Sequence, residues 1–128
     1  MILDSSAVVS ILLREAGADD LEAKVAVAGV LGIGAPTVVE VLMVLSSRFG
    51  PDAAGHLQGF LQRSDAIVVS FSEEHAREAA EAFARFGKGR HRAALNFGDC
   101  MSYAVAKLAG QSLLCTGNDF AKTDLKLA

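Results

Sequence analysis

Four short apolar runs, Ile2–Leu3, Val30–Ala35, Ala66–Phe71 and Gln111–Cys115, recur along the chain with longer segments of helical periodicity between them. Strands alternating with helices predict a three-layer α/β/α arrangement, with a mostly parallel central sheet covered on both faces. The chain has 128 residues, the size of about one domain, so residues 1–128 are expected to share that sheet.

The intervening segments carry their own signals. Ala7–Leu13 has the apolar density of a largely buried helix, and Ala18–Ala28 reads as a second whose first turn holds Asp19, Asp20 and Glu22. Pro36 suits the first position of a helix carrying Thr37 to Leu45, because its missing N–H has no intrahelical partner there. Gly50-Pro51-Asp52 is a turn before a helix over Ala53–Arg63, with Leu57, Phe60 and Leu61 on one face. Ser72 is placed to cap a helix ending at Phe86. In the stretch Asn96–Gly110, Met101, Ala104, Val105 and Leu108 make one buried stripe. Thr123–Leu127 is expected to add an edge strand.

In such sheets ligands bind beyond the carboxyl ends of the strands. Asp4 follows the first strand, Glu40 lies just past the second, Asp99 opens the helix leading into the last, and Asp119 follows that last strand. Each has an ordinary structural use. Asp4, Ser5 or Ser6 can cap a helix, Thr37-x-x-Glu40 fits a capping box, and Asn96-x-x-Asp99 fits a capping pair. Yet Glu40 is the only charged residue between Lys24 and Arg48, among residues expected inside. A buried carboxylate needs a partner, and a cation from solution is one.

Two carboxylates ~4 Å apart repel by about 4 kcal/mol at an effective dielectric near 20, so four acids at one edge point to a bound cation. Hard oxygen ligands without thiolate or imidazole favour Mg²⁺ or Mn²⁺. Such an ion lowers the pKa of a bound water and neutralises charge on a phosphodiester, which favours metal-assisted phosphodiester hydrolysis. Ser6, Asn96, Thr116 and Asn118 can orient the ligands, or serve only in turns and caps.

Other chemistries lack support. Cys100 and Cys115 have no CxxC spacing and read as packing residues, and His56, His75 and His91 are too scattered for a zinc site. The longest apolar stretches are broken by Gly, Pro or Glu well short of the ~20 residues of a spanning helix, so no membrane anchor is expected. Met-Ile-Leu-Asp has no basic n-region and no cleavage site, which points to the cytoplasm. A formal charge of −3 ordinarily argues against a nucleic-acid partner, but masking the four acids moves −3 to +1. Arg85, Lys88, Arg90, His91 and Arg92 then crowd the chain just before Asn96–Gly110, most of them in the flexible loop Gly87–Arg92, which is either a solvated loop or a contact for a phosphate strand.

With these residues assembled, the chain resembles the PIN-domain ribonucleases, and among them the VapC-type toxins of bacterial toxin–antitoxin pairs. Ile2-Leu3-Asp4-Ser5-Ser6-Ala7, Ala35-Pro36-Thr37-Val38-Val39-Glu40, Leu95-Asn96-Phe97-Gly98-Asp99-Cys100 and Thr116-Gly117-Asn118-Asp119-Phe120 are similar, in order, to the family's four acid-bearing segments. The last departs from the frequent Thr-x-Asp pattern, since Thr116 precedes Asp119 by three and Phe120 follows directly. The resemblance implies an Mg²⁺- or Mn²⁺-dependent endoribonuclease leaving a 5′-phosphate and a 3′-hydroxyl. It also implies a homodimer and a small antitoxin that presents a basic side chain to the acidic pocket, with Val9–Leu13 and Val41–Leu45 as candidate groove helices. Other readings of the same residues are a structure-specific DNA nuclease, a phosphoacceptor receiver domain and a non-catalytic binding module.

Overall fold

The computed structural model describes residues 1–128. Its sheet contains β1 (Ile2–Leu3), β2 (Gly32–Gly34), β3 (Ile67–Val69) and β4 (Leu113–Leu114) in the order β3-β2-β1-β4, all neighbours parallel. Leu3 pairs with Ile33 on one side and Leu114 on the other, so the central strand carries the register of the sheet.

Side chains of a strand alternate between faces, and β1 separates two cores accordingly. Ile2 and Leu113 face α5 (Glu73–Phe86) and α6 (Phe97–Ala109), joining Ala82, Phe86, Leu95 and Tyr103. Leu3, Ile33 and Leu114 face the opposite way, onto α1 (Ser5–Leu12), α3 (Ala35–Phe49) and α4 (Ala53–Arg63), where Val8, Ile11, Val41, Leu45 and Phe60 are buried. Leu21 of α2 (Ala18–Val27) joins this second core. The three layers expected from the alternation are therefore present.

The strands are shorter than the apolar runs that contain them. Val30 is 68% exposed before β2, and β3 forms the sheet's edge with Ile67 60% exposed. The C-terminal stretch does not form the expected edge strand. A 3₁₀ turn at Phe120–Lys122 precedes it, and only a single parallel bridge joins Leu127 to Leu113. A side-chain clasp holds the segment instead. Asp124 accepts hydrogen bonds from the Tyr103 hydroxyl at 2.6 Å and the Lys107 ammonium at 2.8 Å, and pairs with Arg85 at 3.3 Å.

Two local readings change. α3 begins at Ala35 with Gly34 as its cap, so Pro36 is its second residue and Thr37 lies inside the helix. No Thr37–Glu40 capping box forms, because a hydroxyl already inside the first turn has no free end to cap. Residues 87–95 are not a loose basic loop. Gly87 and Leu95 form a bridge, and the carbonyl of Gly87 accepts from the amides of Arg90 and His91.

Candidate active site

Asp4 closes β1 and caps α1. Its Oδ2 accepts from the Ser6 amide at 3.0 Å and the Ser6 hydroxyl at 2.5 Å, while its own amide donates to Leu114 at 2.9 Å. Ser6 Oγ also accepts from the amide of Thr116 at 3.0 Å, which ties the exit of β4 to the start of α1. Asp4 is 3% exposed, and its Oδ1 has no hydrogen-bond partner. Leaving a buried charged oxygen unpaired costs more than about 1–3 kcal/mol, so this atom is shaped for a cationic partner.

Asp99 is the third residue of α6 and forms the capping box expected of it. The Asn96 amide donates to Asp99 Oδ2 and the Asp99 amide to Asn96 Oδ1, both at 2.9 Å. Capping and ligation are not alternatives here, because a carboxylate has two oxygens and the box uses one. Burial raises the Asp99 carboxyl to about 6; the bond from Asn96 opposes the shift, and the charges of Asp4, Glu40 and Asp119 add to it.

Glu40 projects from α3 across the mouth of the site. A Cβ placed on Gly98 would stand 2.5 Å from Glu40 Oε1, so the carboxylate rests directly over the α6 backbone. Burial raises its pKa; the nearby Ser5 hydroxyl opposes this, and Asp4 adds to it. Asp4, Glu40 and Asp99 thus feel one another although 36 residues or more separate each from the next in sequence. As the side chains stand, no three acidic, thiol or imidazole groups close on a common point.

Asp119 lies at the rim. It is exposed and meets Lys122 at 3.5 Å, while Lys122 also donates to the carbonyl of Arg92 at 3.4 Å. Thr116 joins the site through its backbone, and Asn118 is exposed beyond it. Of the basic residues, Arg85 is committed to Asp124 and lies over the Phe86 ring, and Arg90 lies over Phe83. Lys88 and Arg92 are exposed and form no ion pair.

Several participants have no sequence signature. Gly98 is the seat of Glu40, and Ser5 lies beside the same carboxylate. Cys115, whose thiol is pushed up to about 11 by burial, also feels Asp4 and Asp99. A glycine next to an acid in the first turn of a helix is the one sequence signal that fits such a close approach.

A sheet of this order with acids at its carboxyl edge defines a class, and the match is direct: the PIN domain family model spans residues 1–126. The chain belongs to the PIN-domain family. Its relatives there are VapC ribonucleases. It is 49% identical to Ribonuclease VapC36 of Mycobacterium tuberculosis over 128 residues, covering 98% of this chain and 91% of that one. It is 42% identical to Ribonuclease VapC of Mycolicibacterium smegmatis over 125 residues, covering 98% and 97%. In fold it matches the crystal structure of Mycobacterium tuberculosis VapC20, a Sarcin-Ricin loop cleaving toxin, with a TM-score of 0.81 at 17% identity over 99% of this chain and 97% of that one. VapBC2 from Rickettsia felis, bound to a DNA fragment from the promoter, gives 0.75 at 16% identity over 99% and 96%.

Proposed function

We propose that this protein is the toxin of a toxin–antitoxin pair, an endoribonuclease that hydrolyses RNA phosphodiester bonds with Mg²⁺ or Mn²⁺. The observation that carries the chemistry is the unpartnered, buried Oδ1 of Asp4, on a carboxylate whose charge is felt by both Glu40 and Asp99. An all-oxygen donor set of this kind fits a hard divalent ion. Asp4 and Asp99 would hold it, with Glu40 beside them and Asp119 at the rim. When bound, such an ion supplies an acidified water and neutralises charge on the phosphate under attack. Within the chain, Ser6 fixes the Asp4 rotamer so that Oδ1 is the free oxygen, and Asn96 does the same for Asp99. The raised pKa of Glu40 suits it to accept the proton of the attacking water.

In the segment before α6, Lys88, Arg90 and Arg92 are exposed and outside any ion pair, free to meet an RNA strand, and Lys122 places the Arg92 backbone beside Asp119. Fold neighbours solved as complexes, among them a toxin–antitoxin complex from Klebsiella pneumoniae and VapBC2 from Rickettsia felis, support an antitoxin as partner. Of the helices considered for its groove, the core claims Ile11, Val41 and Leu45, whereas Val9, Leu12 and Leu13 are only partly buried. A homodimer is supported by a different face. Phe97 is 79% and Met43 71% exposed, and Phe97 and Met101 form a ridge shared by two apolar grooves, one along Phe71 and Phe83 and one along Val39 and Met43. A twofold interface uses the same patch on both copies, and a ridge beside a groove offers each copy something to insert and something to receive.

Incubating the protein with single-stranded RNA, tRNA and DNA, in Mg²⁺, Mn²⁺ or EDTA, tests the reading. Metal-dependent internal cleavage of RNA with 5′-phosphate ends, lost in Asp99→Asn, is expected. Cleavage of RNA by folded Asp99→Asn at the wild-type rate overturns the assignment, and cleavage of DNA alone transfers it to a DNA nuclease.

A further inference from the structure

Helices α3 and α6 meet along an antiparallel seam with three levels. At the first, a Cβ on Gly34 would lie 2.9 Å from Val105 Cγ2, so the cap of α3 rests on the side chain of α6. At the second, the hydroxyls of Thr37 and Ser102 lie 3.2 Å apart, each residue 1% exposed. At the third, the Glu40 carboxylate rests on Gly98, next to Asp99. One side runs 34, 37, 40 and the other 105, 102, 98, each step about one helical turn.

The middle level is the unusual one. Burying two hydroxyls with only each other as side-chain partners gains little stability over an apolar pair of the same shape. What a hydroxyl pair adds is directionality, because its bond survives only at one axial register of the two helices. A slip along the seam breaks it, whereas an apolar contact tolerates the slip. That register sets how Glu40 on one helix stands relative to Gly98 and Asp99 on the other.

We propose that Thr37 and Ser102 are positioning residues, which hold α3 and α6 at the register where Glu40 and Asp99 serve one metal site. The proposal rests on the metal-dependent ribonuclease reading above and specifies what assembles its site. Thr37→Val keeps the shape and removes the hydroxyl, Thr37→Ser keeps the hydroxyl, and Thr37→Val/Ser102→Ala removes both polar partners together.

Mn²⁺ binding by titration calorimetry, RNA cleavage kinetics and melting in EDTA are measured on the full chain. Thr37→Val is expected to bind Mn²⁺ about tenfold more weakly and to lose a similar factor in kcat, with KM for RNA unchanged. Thr37→Ser is expected to restore both, and the double variant to melt near the wild-type temperature while keeping the defect. Wild-type Mn²⁺ affinity and kcat in Thr37→Val or in the double variant overturn the proposal, as does a Thr37→Ser that is as defective as Thr37→Val. Wild-type protein that binds Mn²⁺ without cutting RNA instead defeats the ribonuclease reading, and the Mn²⁺ titrations then decide the seam by themselves.

Discussion

The carboxylate of Glu40 lies on the backbone of Gly98, its Oε1 2.5 Å and Oε2 2.7 Å from the point where a Cβ would stand. One residue from Asp99, the chain leaves out a side chain so that an acid from another helix can come in. Gly98→Ala therefore displaces the working end of Glu40 and not the core. Because Glu40 is flexible and half-exposed, stability should change by less than about 1 kcal/mol, while RNA cleavage falls at least about tenfold. Wild-type cleavage by Gly98→Ala would show that Glu40 need not occupy this seat.

Asp99 gives metal-free stability a characteristic pH dependence. Its carboxyl is held at about 6 by burial and by its acidic neighbours, above the ~4 of an unfolded chain. The protonated form is the one the fold favours, so this contribution is complete below about pH 4 and is lost as pH rises through about 6. Solvent screening at a half-buried group limits the effect to about 1 kcal/mol. In EDTA the melting temperature should fall between pH 4 and 7, and Asp99→Asn should flatten that slope without melting lower at pH 7. Added Mn²⁺ should raise the wild-type value at pH 7, and equal slopes in the two proteins would contradict the assignment.

Asp124 behaves with the opposite sign. Burial alone would raise its carboxyl, but the bonds from Lys107 and Tyr103 and the charges of Lys107 and Arg85 outweigh it and hold it at about 2. The stabilisation is present above the unfolded value of ~4 and is lost as pH falls through about 2. Asp124→Asn should lower the melting point by about 2–6 °C at neutral pH and remove this acid-range dependence. Tyr103→Phe, which takes away one donor to a largely exposed acceptor, should cost about 1 kcal/mol. Thermal scans from pH 2 to 7 measure both.

The basic segment divides into bound and free charges. Lys88→Ala and Arg92→Ala should each weaken RNA binding and make its salt dependence shallower by about one charge, measured as the slope of affinity against salt. Arg85→Ala should instead loosen the C-terminal clasp and register in melting temperature, with RNA affinity nearly unchanged. The reverse pattern would move the RNA path to the other side of the loop.

Met43→Lys places a charge on the exposed apolar ridge and groove without touching the buried core. Light scattering across a concentration series should show a dimer in the wild type and a monomer in the variant, at equal melting temperature in dilute solution. An unchanged mass would remove this face as the dimer contact.

The amino-acid sequence carried the layer order because apolar period is local: two residues per repeat in strands, 3.6 in helices. It also carried three of the four acids as neighbours, since strands read in parallel must deliver Asp4, the start of α3 and the start of α6 to one edge. Asp99 was legible as a cap, and the capping box with Asn96 forms while leaving its second carboxylate oxygen outside the box. Capping at Thr37 was misread because the pattern Thr-x-x-Glu does not say where a helix begins. That is decided by Gly34, which fits against Val105 only once α6 is in place.

What residue order alone determined was the parallel α/β architecture and the family, because periodicity and the four spaced motifs survive without knowledge of any contact. What only the tertiary structure decided was which oxygen of Asp4 stays free, that Glu40 sits on Gly98, that Arg85 is spent on Asp124, and that two hydroxyls fix the seam between α3 and α6. The last three depend on contacts between residues 39 to 65 positions apart, and a carboxylate's partners in space leave no periodic trace in the chain that folds to make them.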